Sequence, residues 1–257
     1  MTATLPAFFR AVALDETGST NDDATTAARE GAAEGTLIWA RRQLKGRGRR
    51  GRTWVSPEGN LHLSIVLRPN VPPARAGEIA FVAALAAAEA CAAFARSADV
   101  RCKWPNDVLV DGRKCAGLLI ESSITGSALD WIVVGIGINL AGHPDDAEYP
   151  ATHLAEHLSP GAGRAIAVEE ALAVLGAAFA GRYDEWRRSG FKPIRESWLA
   201  RAAGIGKPVR VRLESEEFTG TFTGLGGDGA LVVTMPDGST RRVTAGDVFL
   251  PGAAPAR

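Results

Sequence analysis

Between Leu129 and Leu140 the chain reads Leu-Asp-Trp-Ile-Val-Val-Gly-Ile-Gly-Ile-Asn-Leu, almost wholly apolar apart from its glycines. A run of that length and β-branched content predicts a strand, and a strand apolar on both faces belongs inside a sheet that is covered on each side. A chain of 257 residues can supply such cover as one large domain with a small appendage. With 46% hydrophobic and 23% charged residues, the composition is that of an ordinary globular protein and argues against disorder or a disulfide-dense scaffold.

The remaining segments fit around that strand. Leu61, Leu63, Ile65 and Leu67 alternate with His62, Ser64 and Val66, the period of a second strand, and Thr36 to Ala40 reads as a third. Met1 to Gly18 reads as a lead-in. Ser19-Thr20-Asn21-Asp22-Asp23 then offers cap residues and first-turn carboxylates for a helix over Ala24 to Ala33. Further helices fit Arg75 to Arg96, Val168 to Ser189 and Pro193 to Arg201, with loop and a short helix between Ala141 and Ala165. Asp107 to Glu121 reads as two strands joined at Asp111-Gly112, a tight-hairpin signal. Strict alternation would put Lys114, Ala116, Leu118 and Ile120 on one face. Beyond Gly204 the chain alternates in short runs (Val209, Val211, Leu213; Leu231 to Met235; Arg241 to Thr244) split by Gly-rich and Pro-Asp-Gly turns. The fold class is therefore α+β. A mixed β-sheet domain flanked by helices is expected over 1–204, and a small SH3-like β-barrel over 205–257.

Charge and cysteine content narrow the function. The net charge is zero, so bulk electrostatic binding of long nucleic acid is not expected. Phe81 to Ala95 is interrupted by Glu89 and too short to span a bilayer, and Met1 to Arg10 lacks the pattern of an export signal. Cys91, Cys102 and Cys115 are odd in number and have no Cys-x-x-Cys spacing, which fits reduced thiols in a cytoplasm.

Local charge is another matter. From Arg41 to Arg52 there are seven cations and no acid. Within that stretch, Gly46-Arg47-Gly48-Arg49-Arg50-Gly51-Arg52 combines glycines, which allow close backbone approach, with guanidinium groups, which grip phosphate or carboxylate oxygens in pairs. The same residues also fit a nucleic-acid patch or a solvated charge run. So many like charges should repel and stay mobile until an anion orders them. Lys103-Trp104-Pro105-Asn106-Asp107 offers an extended apolar wall followed by an amide able to read a purine edge, or else a turn with a buried Trp and an Asn-Asp cap. Lys114 is either a surface lysine or, beside the arginine loop, a cation that neutralises charge on a phosphate. Gly135-Ile-Gly137-Ile-Asn139 ends the apolar strand, where glycines mark a bulge or close packing. For Gly18-Ser19-Thr20-Asn21, helix capping is a sufficient account.

In this order and spacing, the motifs resemble the biotin protein ligases, whose fold is akin to the class II synthetases. The matching stretches are Gly18-Ser19-Thr20-Asn21, Gln43 through Trp54, Lys103 to Asp107, Arg113-Lys114-x-Ala116-Gly117, Gly135-x-Gly137-x-Asn139 and the β tail. Lys45 departs from the small residue usual before Gly46. The resemblance implies two steps: biotin attacks Mg2+-bound ATP to form biotinyl-AMP and pyrophosphate, and a lysine of a biotin carboxyl-carrier domain then attacks the mixed anhydride. It implies ATP and Mg2+ as cofactors, names no metal-ligating residue, and suits a monomer or homodimer. Ser19, Thr20 and Gln43 would bind the ureido ring. Arg47, Gly48, Arg49 and Lys114 would meet the carboxylate and α-phosphate, with Gly117 and Gly135 making room. Arg52, Trp54, Asn106 and Asn139, with Arg49 and Lys114, would lie toward the nucleotide. Lys114, Arg47, Arg49 and Asp107 are the implied catalytic group, Asp107 orienting Lys114 or the incoming lysine. No room remains ahead of Ser19 for a winged helix-turn-helix, so the monofunctional type, without DNA binding, is expected. A lipoate or octanoate transferase of related fold and an Arg-rich nucleic-acid-binding module are the alternatives.

Overall fold

The computed structural model describes residues 4–144, 149–158 and 165–251. Its first sheet contains β1 (Arg10–Thr17), β2 (Thr36–Gln43), β3 (Leu61–Leu67), β4 (Val100–Lys103), β5 (Asp107–Val110), β6 (Arg113–Thr125) and β7 (Ala128–Ile138). The spatial order is β1-β2-β3-β7-β6-β5-β4, so the apolar run of the sequence is the middle strand. Ile132, Val134, Ile136 and Ile138 of β7 enter the main core, while Trp131 and Val133 pack on the opposite face with Ala24 and Ala28 of α1 (Thr20–Arg29). Both faces are covered, which is why no polar alternation shows in its sequence.

β1 corrects the reading of Met1 to Gly18 as a lead-in. It runs parallel to β2, from Arg10 opposite Thr36 to Thr17 opposite Gln43, and the other pairings in this sheet are antiparallel. As an edge strand it is mostly exposed, so it lacks the hydrophobic period that reveals an inner strand. α1 starts at Thr20, four residues before the expected Ala24, with Ser19 as its N-cap.

The main core lies between this sheet and three helices. α2 (Glu78–Phe94) is apolar all round and sits on β4 to β7, with α3 (Val168–Ser189) and α4 (Phe191–Ala200) packed against it. Pro73–Phe94 is in fact long and apolar enough to cross a membrane, contrary to the expectation that no such stretch exists, and most of it is buried inside the protein. Trp186 and Trp198 fill the helical layer, and Trp186 Nε1 donates to Glu78 at 2.6 Å. The three cysteines are buried and unpaired, and burial pushes the Cys102 thiol up to about 12.

At the β5–β6 hairpin, Asp111 (φ 48°) and Gly112 (φ 76°) both adopt the left-handed region that a two-residue type I′ turn requires. The pairing then slips: Leu109 faces Lys114, but Val108 faces Ala116, which leaves Cys115 as an extra residue. This bulge overturns the strict alternation expected from Lys114 onward. Ala116 and Leu118 pack into the core, whereas Lys114 and Gly117 turn toward the opposite face.

A second sheet comprises β8 (Pro208–Arg212), β9 (Glu217–Leu225), β10 (Leu231–Thr234), β11 (Thr240–Val243) and β12 (Asp247–Phe249), all antiparallel, in the order β11-β10-β9-β8-β12. This is the SH3-like tail, and it docks firmly. Trp104 Nε1 donates to the Gly229 carbonyl at 3.2 Å, Arg195 donates to that of Leu225, and the Phe81 ring fills the space beside Gly229.

Candidate active site

A cleft of about 340 Å3 opens on the α1 side of the sheet, within the range of small-ligand sites. The sequence creates it by loss of bulk. Along one face of β7, Trp131 and Val133 give way to Gly135 and Gly137, and Gly117 of β6 lies opposite Gly137. Side chains from elsewhere enter the space so gained. A Cβ on Gly135 would lie 2.0 Å from Asn21 Oδ1, and one on Gly137 or Gly117 would lie 2.5 or 2.8 Å from the Trp54 ring. Gly117 and Gly135 therefore admit Trp54 and Asn21 directly, and any ligand meets those two side chains.

One end of the cleft is lined by neutral polar groups in a continuous chain. Gln43 Oε1 accepts from the Thr20 amide at 2.8 Å and from its hydroxyl at 3.1 Å, and Gln43 Nε2 donates to Ser56. Thr20 Oγ1 lies 2.9 Å from Ser64 Oγ, which donates to Asn21 Oδ1, and Asn21 Nδ2 donates to Glu121. Ser19, almost fully buried, lines the same end and makes no side-chain cap bond to α1. Capping therefore does not account for this motif; Thr20 and Asn21 point into the site.

The arginine loop forms the roof, and carboxylates from outside the loop offset the repulsion among its like charges. Arg47 donates to Asp22 at 2.6 Å and to both oxygens of Glu121. Burial works against the charge of Arg47, but Glu121 and Asp22 more than offset it and raise its pKa. Arg49 donates to Asn106 Oδ1 at 3.2 Å and to the Gly246 carbonyl, and burial pulls its pKa down. Arg50 and Arg52 both reach Asp247, which also pairs with Arg212; burial raises the Asp247 pKa, but Arg52, Arg212 and Arg50 overcome it. Gly48 lines the cleft beside Arg49. The pairing has a direct consequence. Asp247→Ala removes the carboxylate that Arg50, Arg52 and Arg212 share, so trypsin should cut after Arg50 at least several-fold faster than in the wild type, as read by mass spectrometry of the fragments. An unchanged cutting rate would mean that Asp247 does not hold the loop.

Opposite the polar chain, Asp107 is buried between two lysines, with Lys114 Nζ at 2.6 Å and Lys103 Nζ at 3.2 Å. Burial alone would raise its pKa, but Lys114 and Lys103 hold it down at about 2. Lys114 Nζ also lies 5.6 Å from the Trp54 ring centre, and Lys103 Nζ 4.2 Å from that of Tyr149. The Trp104-Pro105 bond is cis and lies in the turn between β4 and β5, so the chain bends here, where an extended wall was expected. Asn106 Nδ2 donates to the Leu118 carbonyl. Asn139 Nδ2 donates to the Thr152 carbonyl at 3.0 Å, while its buried Oδ1 has no partner among the described residues. Every residue to which the resemblance gives a catalytic, biotin-binding or nucleotide-binding role thus lines one cleft.

Sequence reading missed Asn21, Asp247 and His62 as cleft residues, and Glu121 as the acid that holds Arg47 and Asn21. Asn21, Glu121 and Asp247 are polar groups whose partners lie far along the chain, and His62 sits in a strand where alternation signals only a buried face. His62 is 1% exposed, and burial pushes its imidazole down to about 4. A histidine whose folded value lies below its unfolded value stabilises the fold fully above about pH 6.5 and loses that contribution as pH falls toward 4. Roughly 2 kcal/mol should therefore disappear between pH 7 and pH 5. Urea unfolding at the two pH values should show that extra loss in the wild type and not in His62→Phe; equal losses would refute the assignment.

Comparison with known proteins agrees with this geometry. Residues 17–139 match the model of the biotin/lipoate A/B protein ligase family, and residues 204–250 match the biotin protein ligase C terminal domain. The chain is 42% identical over 241 residues to a biotin–(acetyl-CoA-carboxylase) ligase of Paracoccus denitrificans, covering 93% of this chain and 100% of the relative. It belongs to the biotin protein ligase family. The bifunctional ligase/repressor BirA of Bacillus subtilis is 32% identical, covering 92% of this chain and 72% of the relative. Among solved structures, the biotin protein ligase from Aquifex aeolicus in complex with biotin and ATP superposes with a TM-score of 0.77 at 27% identity, covering 93% of this chain and 97% of that one. The C-terminal sheet, which matches the family's C-terminal domain, reaches the cleft through Gly246 and Asp247.

Proposed function

We propose that this chain is a biotin protein ligase that activates biotin with ATP and transfers it to a lysine of a carboxyl-carrier domain. One observation supports this above the rest: Lys114 Nζ, fixed by Asp107, stands between a neutral polar pocket and a roof of guanidinium groups. Ser19, Thr20 and Gln43 suit the neutral ureido ring, and Gly117 and Gly135 set the floor. Biotin's carboxylate attacks the α-phosphorus, the bond to the β-phosphate breaks, and pyrophosphate leaves with the electron pair. Lys114, Arg47 and Arg49 neutralise the oxygens that crowd together there, with the Gly48 backbone close by. Arg52, Trp54, Asn106 and Asn139 lie on the nucleotide side.

In the second step a neutral carrier amine attacks the acyl carbon, the acyl C–O bond breaks so that AMP leaves with the electron pair, and the amine's proton passes to solvent. Asp107, held at about 2, is too weak a base to take that proton. It acts as a positioning residue for Lys114. The roof excludes water from the hydrolysable anhydride meanwhile.

Mg2+ suits this cleft only as part of the nucleotide. It takes hard oxygen ligands, and Asp107, Asp247 and Glu121 are each already held by cations. The ATP phosphates would hold it and it would screen their charge.

The working division is a catalytic body over 1–204 and a tail over 205–257 that clasps the roof. We assign the protein to the cytoplasm, where ATP and carrier domains meet. Either a monomer or a homodimer suits the reaction. The arginine-rich module reading loses its support because these arginines engage acids around one cleft and form no open patch. Mass spectrometry of a carboxyl-carrier domain after exposure to the enzyme, ATP and biotin should show one added biotinyl group. An added lipoyl or octanoyl group under the matching conditions, with no biotinyl transfer, would select the alternative acyltransferase instead.

A further inference from the structure

Three of the chain's four histidines fall within fifteen residues, and two of them meet a carboxylate outside the catalytic cleft. His143 Nδ1 and His153 Nδ1 are 2.8 Å apart, and Glu156 Oε1 lies 3.6 Å from the first and 3.2 Å from the second. We propose that His143, His153 and Glu156 bind one borderline first-row divalent cation, Zn2+ being the best match. The three edges define a circle of radius about 1.9 Å, so an ion at the ~2.0 to 2.1 Å of Zn–N and Zn–O bonds sits less than about 1 Å above their plane. That is one face of a tetrahedron, with the fourth position left to water.

The surroundings are those of a ligand set. Arg113 Nη1 and Thr152 Oγ1 donate to Glu156 Oε2 at 2.8 and 2.9 Å, which fixes the carboxylate and leaves Oε1 for the histidines. Arg113 engages only Oε2 of Glu156, so Oε1 stays open to an ion, and His157 Nδ1 lies 3.2 Å from Asp111. Asn60 Oδ1 accepts from the amides of Leu140, Ala141 and Gly142 and so anchors the chain that delivers His143. Without an ion, one Nδ1–H donates to the other ring; with one, both rings turn a lone pair inward and carry their proton on Nε2. Two imidazoles and one carboxylate suit Zn2+ and not Mg2+, so this site is chemically separate from the nucleotide's metal.

The consequence is a clasp behind the cleft. The Lys114 amide donates to the Pro150 carbonyl and the Thr152 amide to the Lys114 carbonyl, so the strip ending at His153 lines Lys114's own backbone. An ion joining His143 to His153 and Glu156 would tether residues 150–153 to the chain that follows β7.

The test uses the full chain without added histidines, stripped with chelator, dialysed against micromolar Zn2+ and assayed by mass spectrometry for metal per chain. One ion per chain is expected, together with a higher melting temperature and, with Co2+ instead, the visible bands of a four-coordinate site. His153→Ala and Glu156→Gln should bind at least tenfold more weakly, and the double variant His143→Ala/His153→Ala should bind none. All should keep the wild-type circular dichroism spectrum. His62→Phe should keep the ion. Substoichiometric uptake by the wild type, uptake unchanged in the double variant, or displacement of Zn2+ by equimolar Mg2+ would each overturn the site. None of these outcomes depends on ligase activity, so the site and the proposed function fail separately.

Discussion

Lys114→Ala should slow formation of the adenylate by about 1,000-fold while weakening biotin binding less than about tenfold. The asymmetry follows from where the ammonium stands. Lys114 Nζ is fixed by Asp107 at 2.6 Å and rests near the Trp54 ring, whereas the groups suited to the ureido ring, Thr20 and Gln43, are held by one another. Removing the ammonium leaves that polar end intact and takes away a cation needed where carboxylate and phosphate oxygens approach. Single-turnover adenylation and equilibrium biotin binding, measured on the same preparation, separate the two effects. Equal losses in both would mean that Lys114 serves binding in general.

Arg49→Ala should produce the second large effect, of a different kind. Arg49 links the roof to both sheets, donating to Asn106 Oδ1 at 3.2 Å and to the Gly246 carbonyl. Its loss removes a cation over the phosphate, worth about 100-fold in kcat/KM, and also loosens the cover over the anhydride. Adenylate should then leak and acylate lysines of a bystander protein that lacks a carrier domain. Counting modified bystander lysines by mass spectrometry checks this. A slow variant that still labels only the carrier would confine Arg49 to charge neutralisation.

Much of the fold was legible in residues whose environment is uniform. β7 announced itself because both its faces are buried, and the Asp111-Gly112 hairpin because its turn demands left-handed residues. β1 did not, since an exposed edge strand carries no hydrophobic period. The bulge at Cys115 left no mark in the sequence either, yet it decides which face Lys114 shares with Gly117. In the site, the cations were visible as a run, but the carboxylates that order them were not. Asp22, Glu121 and Asp247 come from α1, β6 and the C-terminal sheet, and only tertiary packing brings them to one roof. Asp247 is the plainest case: it lies 195 residues from Arg52, in a tail from which the sequence offered no residue to name.

The central claim is that this cleft joins biotin's carboxylate to the α-phosphate of ATP. Exchange of labelled pyrophosphate into ATP, measured with and without biotin, tests it most directly, because the label enters ATP only if the adenylate forms reversibly. Exchange that requires biotin and falls with Lys114→Ala is the expected result. No exchange, or the same exchange without biotin, would contradict the account.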